Sequence, residues 1–435
     1  MGQNRDMKWS NWAGNQKVRP AQFLRPGSEE ELAGIIAAAA AEGRKVRVAA
    51  SGHSFTAAAV CGDVMLSVGA LSGLRSVDRS SMTVTVGAGT PLWQLNELLQ
   101  AEGLAMPNLG DIAYQTVAGA VSTSTHGTGV KLPGLAAQVR GFRMVDGAGQ
   151  VRVAGPGGDT GLADVGRVSL GALGVMTEYT LAVVPSFVLE AVETPMRVDR
   201  VLDRLDELVH TNDHFEFFWV PHTGWALTKR NNRVDGPPRP LPRFRGWYEK
   251  TFMENYAFGA VCMAGRAFPA AIPRLAKALP ASGERTYSDV SHRIFASPRL
   301  VRFYEMEQSL PYESLAPALR DVMSMVEKRG HRLNFPVEVR FTAPDDVPLS
   351  TGHGRVSAYI AVHVYKGMDH VPYFRDVEEI MRSYGARPHW GKLHERDAAE
   401  LRDLYPRWDE FQSVRNETDP QRVFTNDYVR RVLGD

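Results

Sequence analysis

Between Asn108 and Gly129 the chain runs through NLGD, VAGA and STSTHGTG with hardly a large side chain. No other feature restricts the fold as much. Such a run brings too little apolar surface to hold a long helix or strand in a core, yet it is rich in hydroxyls and reachable backbone N–H groups. Taken alone it reads equally well as a Ser/Thr/Gly-rich structural loop or as a loop that wraps an anionic, polyhydroxyl group. The fold has to be built around it by the segments on either side.

Those segments carry clear patterns. Ser28-Glu29-Glu30-Glu31 ahead of LAGIIAAAAAEG predicts a capping box, an Ala-rich buried helix and a stop at Gly43. KVRVAA predicts a strand that runs directly into Ser51-Gly52-His53-Ser54, where small residues let backbone approach something closely. VMLSV and MTVTVGAG read as strands, and Thr90-Pro91 as the start, capped by Thr90, of the helix LWQLNELLQAEG. A hairpin is expected around Asp146-Gly147-Ala148-Gly149, and GALGVMTEYTLAVVP closes a unit at Pro185.

Downstream, GPPRPLPRFRGW between Gly236 and Trp247 reads as an exposed loop or a flexible linker. NFPVEVRFTAPDD and VSAYIAVHVYKG have strand composition. Residues two apart on a strand share a face, so Glu338 projects with Arg340, and Tyr359 with Ala361 and His363, while Val337 and Val339 point into packing. An arbitrary pair of this kind is more often a surface salt bridge than a site. His389 and Lys392, in HWGK, read locally as a solvated turn.

A chain of 435 residues exceeds one ordinary core, which points to two packed domains. Lys and Arg number 50 against 49 Asp and Glu, so no overall field recruits nucleic acid or an anionic surface. Cys61 and Cys262 are the only cysteines; neither a disulfide framework nor a thiolate metal site can be written, and the cytoplasm is the expected compartment. The N-terminal MGQNRDMKWSNWAGNQ lacks the apolar core of a secretory signal, and Leu32–Ala41 is too short to span a bilayer, so no intrinsic membrane segment is expected.

Several familiar motifs fail on inspection. Gly87-Ala88-Gly89 sits between a strand and a helix like a dinucleotide turn, but Leu92 stands where a third glycine belongs. An ordinary strand-to-helix turn is the better reading. No Walker sequence occurs, and His394-Glu395 lacks the spacing of a zinc hydrolase, so no metal is expected.

The order of SGHS after a strand, NLGD with VAGA, STSTHGTG, and GALGV at Gly171–Val175 resembles the FAD-binding domain of the vanillyl-alcohol-oxidase family from about Trp9 to Pro185. Glu338-Val-Arg340, Ala361-Val-His363, Arg387-Pro-His389-Trp-Gly-Lys392 and the terminal Phe424-Thr-Asn426-Asp-Tyr428 look like the aldonolactone and alditol oxidases within it. The resemblance implies an α+β, two-domain fold of this type: an FAD-binding domain over 1–185, a substrate cap over 186–380 and a segment over 381–435 returning to the flavin. It implies oxidation of a sugar hydroxyl by hydride transfer to FAD, which is reoxidised by dioxygen or another acceptor. The substrate expected is an aldono-1,4-lactone of gulono or arabinono type, with an alditol, or a sugar-like biosynthetic intermediate, as alternatives. A flavin-binding scaffold without turnover would leave Glu338, Arg340 and HWGK unexplained.

By the same resemblance, Val48, Ala49, Ala50, Ser51, Gly52, His53 and Ser54 wrap the diphosphate, and His53 carries the flavin covalently. Gly110, Asp111, Thr116, Gly119, Thr123, Ser124, Thr125 and His126 line its ribityl, diphosphate and ring portions, and Val175 meets the adenine. Gly110 leaves a path for dioxygen where some relatives carry a shielding side chain, which favours an oxidase over a dehydrogenase. Asp111 departs from the serine common in relatives; it is expected either to accept a substrate hydroxyl or to hold N–H groups of its own loop. Glu338 and Arg340 orient the sugar, Lys392 stabilises negative charge on the reduced flavin, and the proton acceptor is His363 or His389.

Overall fold

A three-stranded parallel sheet opens the first half of the molecule, with Val64–Leu66 between Gln22–Leu24 and Val46–Val48. The computed structural model describes residues 7–278 and 283–435, so the first six residues of the polar N-terminal segment lie outside it. Helix Glu29–Ala41 covers this sheet on one face only: Leu32, Ile36 and Ala39 are buried with Val46, Val64 and Leu66, and intervening alanines are exposed. Ser28 caps it by accepting the Glu31 N–H at 3.1 Å, but the Glu31 carboxylate accepts from Gly27 rather than Ser28. Half of the expected capping box therefore forms.

A five-stranded antiparallel sheet follows in the order Val151–Ala154, Val139–Val145, Val175–Ala182, Thr83–Gly87 and Leu74–Asp78. The predicted hairpin closes on Asp146, whose Oδ1 accepts the N–H groups of Ala148 and Gln150. Helix Leu92–Ala101 begins after Pro91, and the Thr90 hydroxyl donates to the Gly87 carbonyl at 2.7 Å instead of capping it. The glycines here serve close packing: a Cβ would meet the Leu71 carbonyl oxygen at 2.4 Å from Gly87 and that of Val68 at 2.0 Å from Gly89. The small-residue run is also less irregular than its composition suggests, because Val117–Ser122 forms a short helix capped by Thr116.

An eight-stranded antiparallel sheet makes the second half, in the order Arg285–Val290, Val188–Arg197, Trp225–Val234, His214–Trp219, Val337–Thr342, Ser357–Tyr365, Phe303–Pro311 and Arg387–Pro388. One face is apolar. Phe215, Phe217, Val337, Val339, Ile360 and Val362 pack there against helices that include Leu315–Arg329 and Val371–Ser383. The other face is polar and carries the candidate site. Between Trp225–Val234 and Arg285–Val290 the chain leaves the sheet; the exposed loop ends at Pro242, and the segment read as loop up to Trp247 already turns into a helical arm at Arg243.

The last helices, Ala398–Leu404, Trp408–Thr418 and Asp427–Leu433, place Leu401, Phe411, Val429 and Val432 in the same core as Leu95, Leu99, Met144 and Tyr179. Sequence-distant segments thus close around one centre. Among the described residues no helix is long and apolar enough to cross a membrane.

Candidate active site

The loop after strand Val46–Val48 forms one wall of a cleft whose opposite walls are Gln115–Gly119 and Leu170–Met176. Its floor is small: Ala50, Ala58, Ala59, Ala118, Gly119, Gly171 and Gly174 line it, with hydroxyls from Ser51, Ser54, Thr56, Thr116, Ser122 and Thr123. Gly52 takes a φ of +69°, and among the described residues none of the N–H groups from Ala50 to Ser54 has a hydrogen-bond partner. A turn of unpaired amides around a left-handed glycine is a cradle for a phosphate chain. Gly119 keeps the cradle open, since a Cβ there would lie 3.2 Å from Thr116 Oγ1 and 3.3 Å from the Ala50 Cβ. These residues fit FAD. Behind the cleft, the buried Arg47 guanidinium donates to the carbonyls of Ala58, Leu170, Gly171 and Phe424, tying three distant segments into the wall.

On the polar sheet face, register fixes the neighbours. Glu338 lies opposite Ala361, Arg340 opposite Tyr359, Glu305 opposite His363 and Glu307 opposite Ala361, so all of these point the same way. Arg340 is a hub. It contacts Glu338, lies 3.3 Å from Asp111 and donates to Glu216 at 3.1 Å. Asp111 also accepts from Arg299 at 2.7 Å. Glu305 is shared between Lys392 and His363.

Charges packed this closely out of water shift one another. Burial, with Asp111 and Glu216 nearby, pushes the Glu338 carboxyl up to about 7 in spite of Arg340. Burial acts to raise Asp111 as well, but Arg340, Arg299 and Lys392 outweigh it and hold Asp111 ionised. Burial works against protonated Lys392 and His363, yet Glu305 raises both. His53 is pushed down to about 4 by burial and Lys392. His389 is lowered to about 3, chiefly by burial.

Hydrogen bonds assign the ring nitrogens. His363 Nδ1 faces the Pro336 carbonyl at 3.1 Å and so carries a proton, while its Nε2 faces Glu305 at 3.5 Å. His389 Nδ1 accepts the Gly391 N–H at 3.0 Å, which puts the proton of this neutral ring on Nε2. His126 faces the Gly127 carbonyl through Nδ1 and Glu307 through Nε2, and stacks on Tyr359 with centroids 3.6 Å apart. The ligand atoms of His126, Glu307 and His389 lie within 4.8 Å of one another, and within this cluster His126 already pairs with Glu307 at 3.3 Å.

The expected cofactor residues divide between two places. Val48, Ala50, Ser51, Gly52, His53, Ser54, Thr116, Gly119, Thr123 and Val175 line the cleft. Ala49 does not; it is buried, and its N–H donates to Leu66. Gly110, Asp111, Ser124, Thr125 and His126 lie outside the cleft lining, where Ser124 meets Ser350 and Thr351 and Thr125 accepts from Gln115. Asp111 makes no hydrogen bond to N–H groups of its own loop; two arginines from the second half contact its carboxylate instead. His389 and Trp390 are buried rather than in a solvated turn. Sequence reasoning missed Glu305 and Glu307, although their spacing of two in FYEMEQS was a signal. It also missed Arg299, Glu216 and Arg47, and for Arg299, in an irregular segment, no local signal existed.

The D-arabinono-1,4-lactone oxidase family matches residues 179–432, and an FAD binding domain matches residues 20–155. The chain is 45% identical to the L-gulono-1,4-lactone dehydrogenase of Mycobacterium tuberculosis, covering 98% of this chain and 99% of that one. It is 31% identical to the alditol oxidase of a Streptomyces species, covering 98% of each. Cholesterol oxidase from B. sterolicum has the same fold, with a TM-score of 0.85 at 18% identity over 98% of this chain and 96% of that one. With the cleft and the sheet face in place, the match over residues 179–432 and the 45% identity over nearly the whole chain show that this chain belongs to the D-arabinono-1,4-lactone oxidase family of FAD-dependent oxidoreductases.

Proposed function

We propose that the protein oxidises a ring hydroxyl of an aldono-1,4-lactone of gulono or arabinono type, with FAD attached through His53. The observation that carries this reading is the network in which buried Glu338 and Arg340 on the sheet meet Asp111 from the glycine-rich loop, near Lys392. When bound, FAD would accept hydride from the carbinol carbon and pass the electrons on. The chain's own task is to bind the sugar, orient one C–H bond and take the hydroxyl proton.

Arg340 offers donors to a lactone carbonyl or hydroxyl, and its acidic neighbours fix its plane. The ring-nitrogen assignments argue against both histidines as proton acceptor: Nδ1 of His363 is protonated with Nε2 against a carboxylate, and the free nitrogen of His389 carries hydrogen. Glu338, with a pKa near 7, is the better candidate for the hydroxyl proton. Lys392, kept charged by Glu305, supplies the positive charge that favours a reduced, anionic flavin. His53 lines the cleft and stays neutral to about pH 4, so a nitrogen lone pair is available for a covalent bond.

We further propose an oxidase working in the cytoplasm, without nucleic-acid partners. Gly110, a glycine at a position where some relatives carry a shielding side chain, supports the use of dioxygen. Absorbance and intact mass of acid-denatured protein test the attachment, and peroxide release on gulonolactone and on xylitol tests the chemistry. Retained flavin with peroxide from the lactone supports the whole reading. Flavin that washes out defeats the covalent bond, flavin reduced without peroxide means a dehydrogenase, and better turnover of xylitol moves the assignment to the alditol oxidases.

A further inference from the structure

The arm that leaves the eight-stranded sheet presents a continuous aromatic surface to solvent. It runs through Arg243–Gly246, Trp247–Ala257 and Phe258–Ala267, and the middle stretch is wound as a π-helix. That wider turn brings residues four to five apart onto one side. Phe244, Tyr248, Phe252 and Tyr256 follow such a spacing, with Trp247 beside them. Ring centroids lie 6.3 Å apart for Phe244 and Trp247, 5.9 Å for Trp247 and Phe252, 5.6 Å for Tyr248 and Phe252, and 6.4 Å for Phe252 and Tyr256. The stripe is unburied: Phe244 is 76% exposed, Trp247 50%, and Phe268, just past the arm's end, 71%. Contiguous exposed aromatic surface of this kind marks a contact site rather than chance.

Charge narrows the choice of partner. From residue 237 to 277 the exposed ionisable side chains are Arg239, Arg243, Arg245, Arg266, Arg274 and Lys277; no acidic residue is exposed there among the described residues. Glu249 and Glu254 both reach Arg285, and Glu249 also accepts from Arg245 at 2.6 Å, which leaves Arg239, Arg243, Arg266, Arg274 and Lys277 as the exposed cations outside any ion pair among the described residues. The arm is therefore locally basic on a chain whose overall charge is +1. Arg266 approaches the Lys366 carbonyl, and the Lys366 ammonium stands near Lys17 and Arg302, which extends the basic surface beyond the arm.

We propose that this arm is an interfacial membrane-binding element that docks on an anionic lipid bilayer. Trp247 and the Phe and Tyr rings enter the headgroup boundary, and the flanking arginines pair with lipid phosphates. A protruding aromatic helix with basic flanks fits a broad, negatively charged surface better than it fits an acidic peptide, because the helix offers no groove. The arm's inner side connects to the candidate site. Buried Asn255 accepts the N–H of Leu300, next to Arg299, whose guanidinium holds Asp111. Docking would thus fix the segment that supports the substrate side of the site.

The test is co-sedimentation of the flavin-loaded protein with vesicles of phosphatidylcholine alone or mixed with phosphatidylglycerol. Binding should require phosphatidylglycerol and weaken as salt rises. The double variant F244S/W247S should lower the partition coefficient about tenfold, and R239Q/R243Q should reduce the salt dependence. Both should retain lactone turnover in solution and a native circular dichroism spectrum. Absence of binding to anionic vesicles at low salt overturns the proposal, as does binding that F244S/W247S leaves unchanged. A dimer that F244S/W247S dissolves, with no vesicle binding, overturns it too and assigns the patch to a second copy of the chain.

Discussion

The Arg299 guanidinium donates to the Asp111 carboxylate at 2.7 Å, fastening the glycine-rich loop of the FAD-binding half to a segment of the sheet-bearing half. Arg340 stands on the other side of the same carboxylate at 3.3 Å. One half-buried acid thus locks the two halves together and steadies the sheet face that would hold the sugar.

Asp111→Asn keeps the shape of the side chain and removes its charge, leaving the buried Arg340 and the partly exposed Arg299 guanidinium without their shared anion. Stability should fall by about 1–3 kcal/mol, the usual cost of losing charge-assisted hydrogen bonds at a partly solvent-screened site. Because Asp111 helps to raise Glu338, the Glu338 pKa should fall in this variant. Urea denaturation and the pH profile of turnover check the two effects separately.

If Glu338 takes the hydroxyl proton, turnover should rise with pH through about 7, where its carboxyl ionises. Glu338→Gln should reduce kcat roughly 10²–10⁴-fold and erase that limb. Stability should move in the opposite sense. A carboxyl raised from 4.5 to about 7 binds its proton more tightly in the folded state, so its contribution is full below pH 4.5 and is lost as pH rises through about 7. The variant should lack this slope in thermal melts, and a wild-type slope of the other sign would refute the raised pKa.

His389 sits on the acid side of the same balance. Its pKa of about 3 lies below the ordinary 6.5, so its stabilising contribution is present above pH 6.5 and is lost progressively as pH falls towards 3. His389→Gln keeps an acceptor for the Gly391 N–H and removes the titration. The variant should lose less melting temperature than the wild type between neutral pH and pH 4.

Gly119→Val would push a branched side chain against Thr116 Oγ1 and the Ala50 Cβ, into the space that a flavin diphosphate would use. The expected product is folded protein with little flavin, seen as a native far-ultraviolet spectrum and a low ratio of visible to ultraviolet absorbance. Full flavin content in this variant would place the phosphates elsewhere.

Local pattern was enough for much of the frame. The helix after Ser28, the Asp146 hairpin and the alternation in Val337–Thr342 and Ser357–Tyr365 follow from periodicity and turn chemistry that act over a few residues. The same alternation put Glu338 with Arg340 and turned Val337 and Val339 into the core. Motif order, in turn, pointed to FAD and to the family. Where local reading failed it was at ends and irregular stretches: Thr90 is not the cap, the loop ends at Pro242, and Val117–Ser122 is helical because its small side chains let it pack closely.

The sequence by itself determined which residues alternate, which turns close, and which small residues leave backbone free to meet a phosphate. Only the tertiary structure decided the company they keep. Arg299 reaches Asp111, Arg47 joins Ala58 to Phe424, and Glu305 stands between Lys392 and His363. Those partners are far apart in the chain, and strand register together with core packing brings them together. Protonation follows from the same cause: a carboxyl has an ordinary pKa in any local sequence, and Glu338 reaches about 7 only because folding buries it beside Asp111 and Glu216.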